Sequence, residues 1–121
     1  MAIRKYSLAR DGGRCLAPDF KVRELRCRDG TDTIMVDEML TVVLQCIREH
    51  FGRAVTITSG YRTPAHNAAV GGAKNSQHLY GRAADIRVQG VCVEEVAAYA
   101  ERLMPDWGGV GRYPVKAGRA T

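Results

Sequence analysis

Apolar and polar positions recur along this chain with two different periods. Val36, Leu40, Val43, Ile47 and Phe51 follow one another at three- and four-residue steps. That spacing puts them on one buried stripe and predicts a helix over residues 37–51. Asp37 is placed to cap its start and Gly52 to stop it. "AVTIT", residues 54–58, then alternates as a strand does. A turn and a short helix follow in "SGYRTPAHNAAVGG", with Thr63 as cap, Pro64 at the first position and Gly71–Gly72 as the stop. "AADIRV" reads as a second strand, with Ile86 and Val88 on one face and Asp85 and Arg87 on the other. Val93, Val96, Ala97, Ala100 and Leu103 mark a second long helix over about residues 93–104, and "GGVGRY" reads as a third strand.

Residues 1–35 carry no sustained period. "DGG" and "RDGTD" are turn signals, and "FKVREL" fits a short strand or a single helical turn. The pattern therefore predicts one α+β domain over residues 1–121, a small antiparallel sheet with helices packed on it, and an irregular N-terminal segment over 1–17. A chain of 121 residues has material for one core and not two.

Composition changes this picture little. Hydrophobic residues make up 45% and charged residues 26%, an ordinary globular balance. No apolar run approaches the roughly 18–20 residues that span a bilayer. The start lacks the apolar core of a signal peptide, so a cytoplasmic protein or a lysin that reaches the cell wall by a non-Sec route is expected. The net charge of +5 suits an anionic partner such as nucleic acid, a lipid surface or an acidic wall polymer. The basic residues are scattered, however, and the densest run, "KVRELRCRDG", is broken by Glu24 and Asp29. With aromatics at 7% and no recognition motif, a nucleic-acid-binding domain has no support. The four cysteines form no CxxC pair and read as reduced thiols, with Cys46 as a small core residue.

The candidate chemistry lies in "NSQHLYGRAADIRV". His78 stands in the loop entering the strand that carries Asp85, Gly81 allows a tight turn, and Ala83 and Ala84 keep the surroundings small. Imidazole nitrogen and carboxylate oxygen both ligate zinc at about 2.0–2.2 Å, and a turn plus half a strand brings such residues onto one centre. Spacing alone is a weak signal and favours a surface histidine and an aspartate beside Arg87 on a solvated strand face.

The wider motif carries more. "SQHLYGRAAD", with "SGYR" upstream, resembles the D-alanyl-D-alanine carboxypeptidase-like zinc metallopeptidases, a superfamily with vancomycin-resistance dipeptidases and phage endolysins whose fold the hedgehog signalling domain shares. The likeness runs from "DFKVRELRC" to "GGVGRYP". It implies a Zn2+ cofactor held by His78 and Asp85. It also implies a substrate-facing Arg62 that grips a peptide carboxylate or carbonyl and stabilises the oxyanion, with Ser76 either contacting substrate or shaping the loop, and Tyr61 packing. The implied reaction is hydrolysis of a peptidoglycan stem peptide. In that family the third ligand is a histidine in a C-terminal strand, and the general base also comes from that part. No histidine follows His78 here. His50 and His66 do not match a family ligand position; His50 reads as a helix C-terminal histidine. The third ligand and base are thus unassigned. The expectation is a chain that ends before the catalytic strand, or else an inactive peptidoglycan-binding relative.

Overall fold

The computed structural model of the chain describes residues 3–103. Among these residues six strands and four helices follow in the order β1 (Ile3–Ser7), α1 (Leu8–Asp11), β2 (Cys15–Ala17), β3 (Phe20–Lys21), β4 (Thr33–Asp37), α2 (Glu38–Phe51), β5 (Val55–Ser59), α3 (Pro64–Ala69), β6 (Asp85–Val88) and α4 (Val93–Leu103). Two 3-10 turns, Val22–Leu25 and Gln77–Tyr80, sit after β3 and before β6. The strands pair as three antiparallel couples, β1 with β4, β2 with β3, and β5 with β6. The fold is α+β, as the periodicities predict.

The strongest patterns give the closest matches. Asp37 caps α2 by accepting from the Met39 amide at 2.9 Å, and Gly52 ends it in the left-handed conformation. Thr63 caps α3 with Pro64 at its first position. Val43, Leu44 and Ile47 bury the inner face of α2, while Ala97 and Ala100 bury that of α4. Small residues there let α4 pack closely on α2.

Residues 3–35 are more ordered than their pattern predicts. β1 runs antiparallel to β4 with Ile3 opposite Asp37 and Ser7 opposite Thr33. Val36, counted in the helical stripe, is instead a strand residue of β4 with its side chain in the core. "FKVREL" is both of its alternatives in succession, β3 and then the 3-10 turn. Phe20, Val22, Leu25, Cys27, Ile34 and Val36 are the most deeply buried apolar side chains. The N-terminal third thus supplies the centre of the core. Cys46 is only half-buried. The "GGVGRY" strand lies outside the described residues.

Two anchors connect this core to the later elements. The Tyr61 amide donates to the Leu25 carbonyl at 3.0 Å, and the Asp37 amide donates to the Gly81 carbonyl at 2.9 Å. Arg28, from the basic run, donates to the Ile57 carbonyl at 2.8 Å and so serves as a backbone clamp. No helix among the described residues is long and apolar enough to cross a membrane.

Candidate functional site

β5 and β6 form the floor of the site. Ser59 pairs with Asp85 after an irregularity in the register between Ile57 and Ser59. A bulge of this kind turns a strand and re-aims its side chains. The Thr58 hydroxyl donates to the Asp85 carbonyl at 3.2 Å, which holds the start of β6 against the bulge.

His78 reaches this floor from the 3-10 turn. Ser76 caps the turn, its hydroxyl accepting from the His78 amide at 3.2 Å. Gly81 ends it with φ of 70°. A Cβ on Gly81 would lie 2.2 Å from the Met35 carbonyl oxygen, so only glycine lets the loop rest on β4. The His78 carbonyl accepts from the Arg62 amide at 3.0 Å, which joins the two motif segments backbone to backbone.

The ring of His78 is buried and its orientation is fixed. Nδ1 lies 2.7 Å from the Gly60 carbonyl oxygen, an acceptor only, so Nδ1 carries the proton of the neutral ring. Nε2 then presents its lone pair. It faces Asp85 Oδ1 at 3.6 Å. Two acceptors converge at the separation that two ligands of one tetrahedral ion require, about 3–4 Å. A backbone carbonyl on the far ring nitrogen is the usual support of a metal-bound histidine. The chemistry of this donor pair fits a divalent cation.

Arg62 lies beside this pair. Its Nη2 is 3.3 Å from Asp85 Oδ2, its Nε donates to Ser59 Oγ at 3.0 Å, and its Nη1 donates to Asn67 Oδ1 at 3.3 Å. Three anchors fix the plane of the guanidinium and leave two of its five N–H groups for a ligand. Asn67 is buried and also donates to the Ala73 carbonyl at 2.8 Å. The structure thus brings His78, Asp85 and Arg62 together. Ser76 caps the turn that carries His78, and Tyr61 packs in the core, where burial pushes its hydroxyl pKa up.

Sequence reasoning missed Gly60, Ser59 and Asn67. The signal for the first two was present, because "SGYR" holds both beside Arg62. Nothing in the pattern marked Asn67.

The remaining histidines lie elsewhere. His50 stacks on Tyr99 with ring centroids 3.8 Å apart and meets Phe51 edge-on. His66 gathers with Cys27 and Asp29, their ligand atoms all within 4.8 Å of one another. Hydrogen bonds from Thr31, then from Cys27 and Thr63, hold the Asp29 carboxyl well below the usual carboxylate range. Among the described residues this is the one such group of three, so no third histidine, cysteine or acidic side chain joins His78 and Asp85 there.

The chain is 40% identical over 73 residues to the zinc D-Ala-D-Ala carboxypeptidase of Streptomyces albus G, a match covering 54% of this chain and 29% of that protein. It is 42% identical over 65 residues to the probable peptidoglycan L,D-endopeptidase MepK of Haemophilus influenzae, covering 50% and 34%. The matched region thus spans about a third of the length of these curated relatives. No solved structure matches. The profile of peptidase M15 matches residues 18–116, most of the sequence and all of the site, and the chain belongs to the peptidase M15 family.

Proposed function

We propose that this chain is a zinc-dependent hydrolase of peptide bonds in bacterial peptidoglycan. The observation that carries the reading is the pairing of His78 Nε2 with Asp85 Oδ1 at 3.6 Å, with the other ring nitrogen committed to the Gly60 carbonyl. Membership of a peptidase family and relatives named for D-Ala-D-Ala and L,D-peptide cleavage support it.

His78 and Asp85 would hold the ion, with a third ligand from outside the described side chains. Zinc bound there supplies Lewis acidity toward water and a peptide carbonyl. The protein's own residues do the rest. The Gly60 carbonyl keeps the His78 lone pair aimed at the centre. Arg62 holds Asp85 Oδ2, so the carboxylate presents Oδ1. The two remaining N–H groups of Arg62 bind the carboxylate or carbonyl oxygen of a stem peptide and offset charge that develops there during attack. Ser76 acts through the loop rather than on substrate.

The test is digestion of purified stem peptides with a free D-Ala-D-Ala end, and of cross-linked fragments, in the presence of zinc. Products are separated by chromatography. Release of D-Ala supports a carboxypeptidase, and scission of fragments blocked at that end supports an endopeptidase. Arg62→Ala should lower turnover by about 10²-fold or more. Equal turnover by wild type and by Asp85→Asn would overturn the assignment.

A further inference from the structure

His66 is the histidine the site does not use, and its surroundings are informative. It lies on α3, beneath the "CRDG" loop that follows the first 3-10 turn. There its ring nitrogen, Cys27 Sγ and an Asp29 oxygen form the group whose atoms are mutually within 4.8 Å. The three residues come from two distant segments, so local geometry alone does not explain their meeting. Thr63 braces them. Its amide donates to Cys27 Sγ at 3.4 Å, and its hydroxyl donates to Asp29 Oδ2 at 2.9 Å. Asp29 Oδ1 accepts from the Thr31 amide at 2.9 Å. The burial is graded: Cys27 is buried, His66 half-buried and Asp29 exposed. Sulfur forms the base, with nitrogen and oxygen at the mouth.

We infer that Cys27, Asp29 and His66 form a second metal site, separate from His78 and Asp85, that takes a borderline-soft divalent cation such as zinc. The donor set selects the ion. A thiolate and an imidazole favour zinc over magnesium or calcium, which prefer all-oxygen shells. Three protein ligands leave one tetrahedral position, which opens to solvent on the Asp29 side. Binding breaks the Cys27 S–H bond, forms the sulfur–metal bond and releases the proton to solvent, so one proton leaves per ion. The N–H bond from Thr63 remains to stabilise the sulfur charge. The ion would clip the "CRDG" loop to the first turn of α3, which starts two residues beyond Arg62. Its role is therefore structural, and it steadies the segment that carries the guanidinium. The inference does not rest on the proposed hydrolysis.

The test uses the whole chain under anaerobic, reducing conditions with cobalt(II) as the probe. Asp85→Asn disables the first site while keeping its shape. Titrating this variant should give one cobalt per chain with an intense sulfur-to-metal charge-transfer band, and zinc should displace it. Adding His66→Ala to Asp85→Asn should weaken that binding at least about tenfold, since even supporting partners of a ligand are worth about 10–100-fold. His66 is half-buried, so circular dichroism will show the variant folded, whereas Cys27→Ser alters a core residue and serves only as a second variant. It should remove the band. Absence of the band in Asp85→Asn would overturn the inference. So would a band of unchanged affinity after His66→Ala, because His66 would then not be a ligand.

Discussion

Gly60 shows how much one residue decides. A Cβ there would lie 2.8 Å from both Cα and the carbonyl oxygen of Leu25. These are backbone atoms of the core, so they cannot step aside as a flexible side chain would. The same residue turns its own carbonyl toward His78. Gly60→Ala should therefore cost about 1–3 kcal/mol in urea unfolding, as overpacking does. It should also weaken metal binding more than a surface alanine of equal stability cost would. A variant with lowered stability but unaltered metal affinity would show that the carbonyl does not orient the ring. Asn67 makes a parallel case. Its amide joins Arg62 Nη1 to the Ala73 carbonyl inside the fold. Asn67→Leu leaves both unsatisfied, and about 1–3 kcal/mol of stability should be lost. Peptide cleavage should fall with KM raised, because the guanidinium loses one of three anchors. Unchanged KM in a folded Asn67→Leu variant would place substrate binding elsewhere.

Among the elements, legibility followed length. α2 and α4 repeat their apolar stripe over several turns, and the caps of α2 and α3 were readable from Asp37, Thr63 and Pro64. His78, Asp85 and Arg62 stood out only because "SQHLYGRAAD" and "SGYR" resemble the motifs of a known family, for spacing and strand alternation fitted a surface histidine and aspartate as well. The N-terminal strands were not readable. β2 has three residues and β3 two, too few to show a period of two. β1 exists because it pairs with β4 some thirty positions away, and a local window cannot see a partner. The bulge opposite Asp85 is equally a product of pairing. Acid should expose how β1 and α1 are held. Asp11 is buried and accepts from the Ser7 amide at 2.9 Å, with Arg10 and Arg14 beside it. The hydrogen bond from Ser7, then that from Arg10, hold its carboxyl below the usual range. A depressed folded value means the stabilisation is complete above the unfolded value near 3.9 and is lost as pH falls through the folded one. Asp11→Asn should be less stable at neutral pH, and its stability should change less between about pH 5 and 2. Parallel stability curves for the two proteins would show that Asp11 does not contribute this acid lability.

Across the whole molecule, the candidate site is the meeting place of parts that are far apart in sequence. Leu25 holds Tyr61, Asp37 holds Gly81, and Arg62 holds the His78 backbone. Loosening the N-terminal core must therefore move His78 and Arg62 together. Metal binding and global unfolding should be coupled, because an unfolded chain cannot keep Nε2 and Oδ1 at 3.6 Å. An ion that binds only the folded form stabilises it by RT ln(1 + [L]/Kd), about 2.7 kcal/mol at a hundredfold excess over Kd. For a domain of about 100 residues, each kcal/mol raises Tm by roughly 4–8 °C. The measurement belongs in a His66→Ala background, which weakens the Cys27–Asp29–His66 centre and lets the His78–Asp85 centre dominate. Zinc should raise Tm there, a chelator should reverse the rise, and Asp85→Asn should remove it. The Asp85→Asn variant still offers Arg62 an amide oxygen, so its metal-free Tm should stay close to that of the parent. An equal zinc-induced rise in the Asp85→Asn variant would mean that the stabilising ion binds elsewhere, and the pairing of His78 with Asp85 would then be an ordinary polar contact.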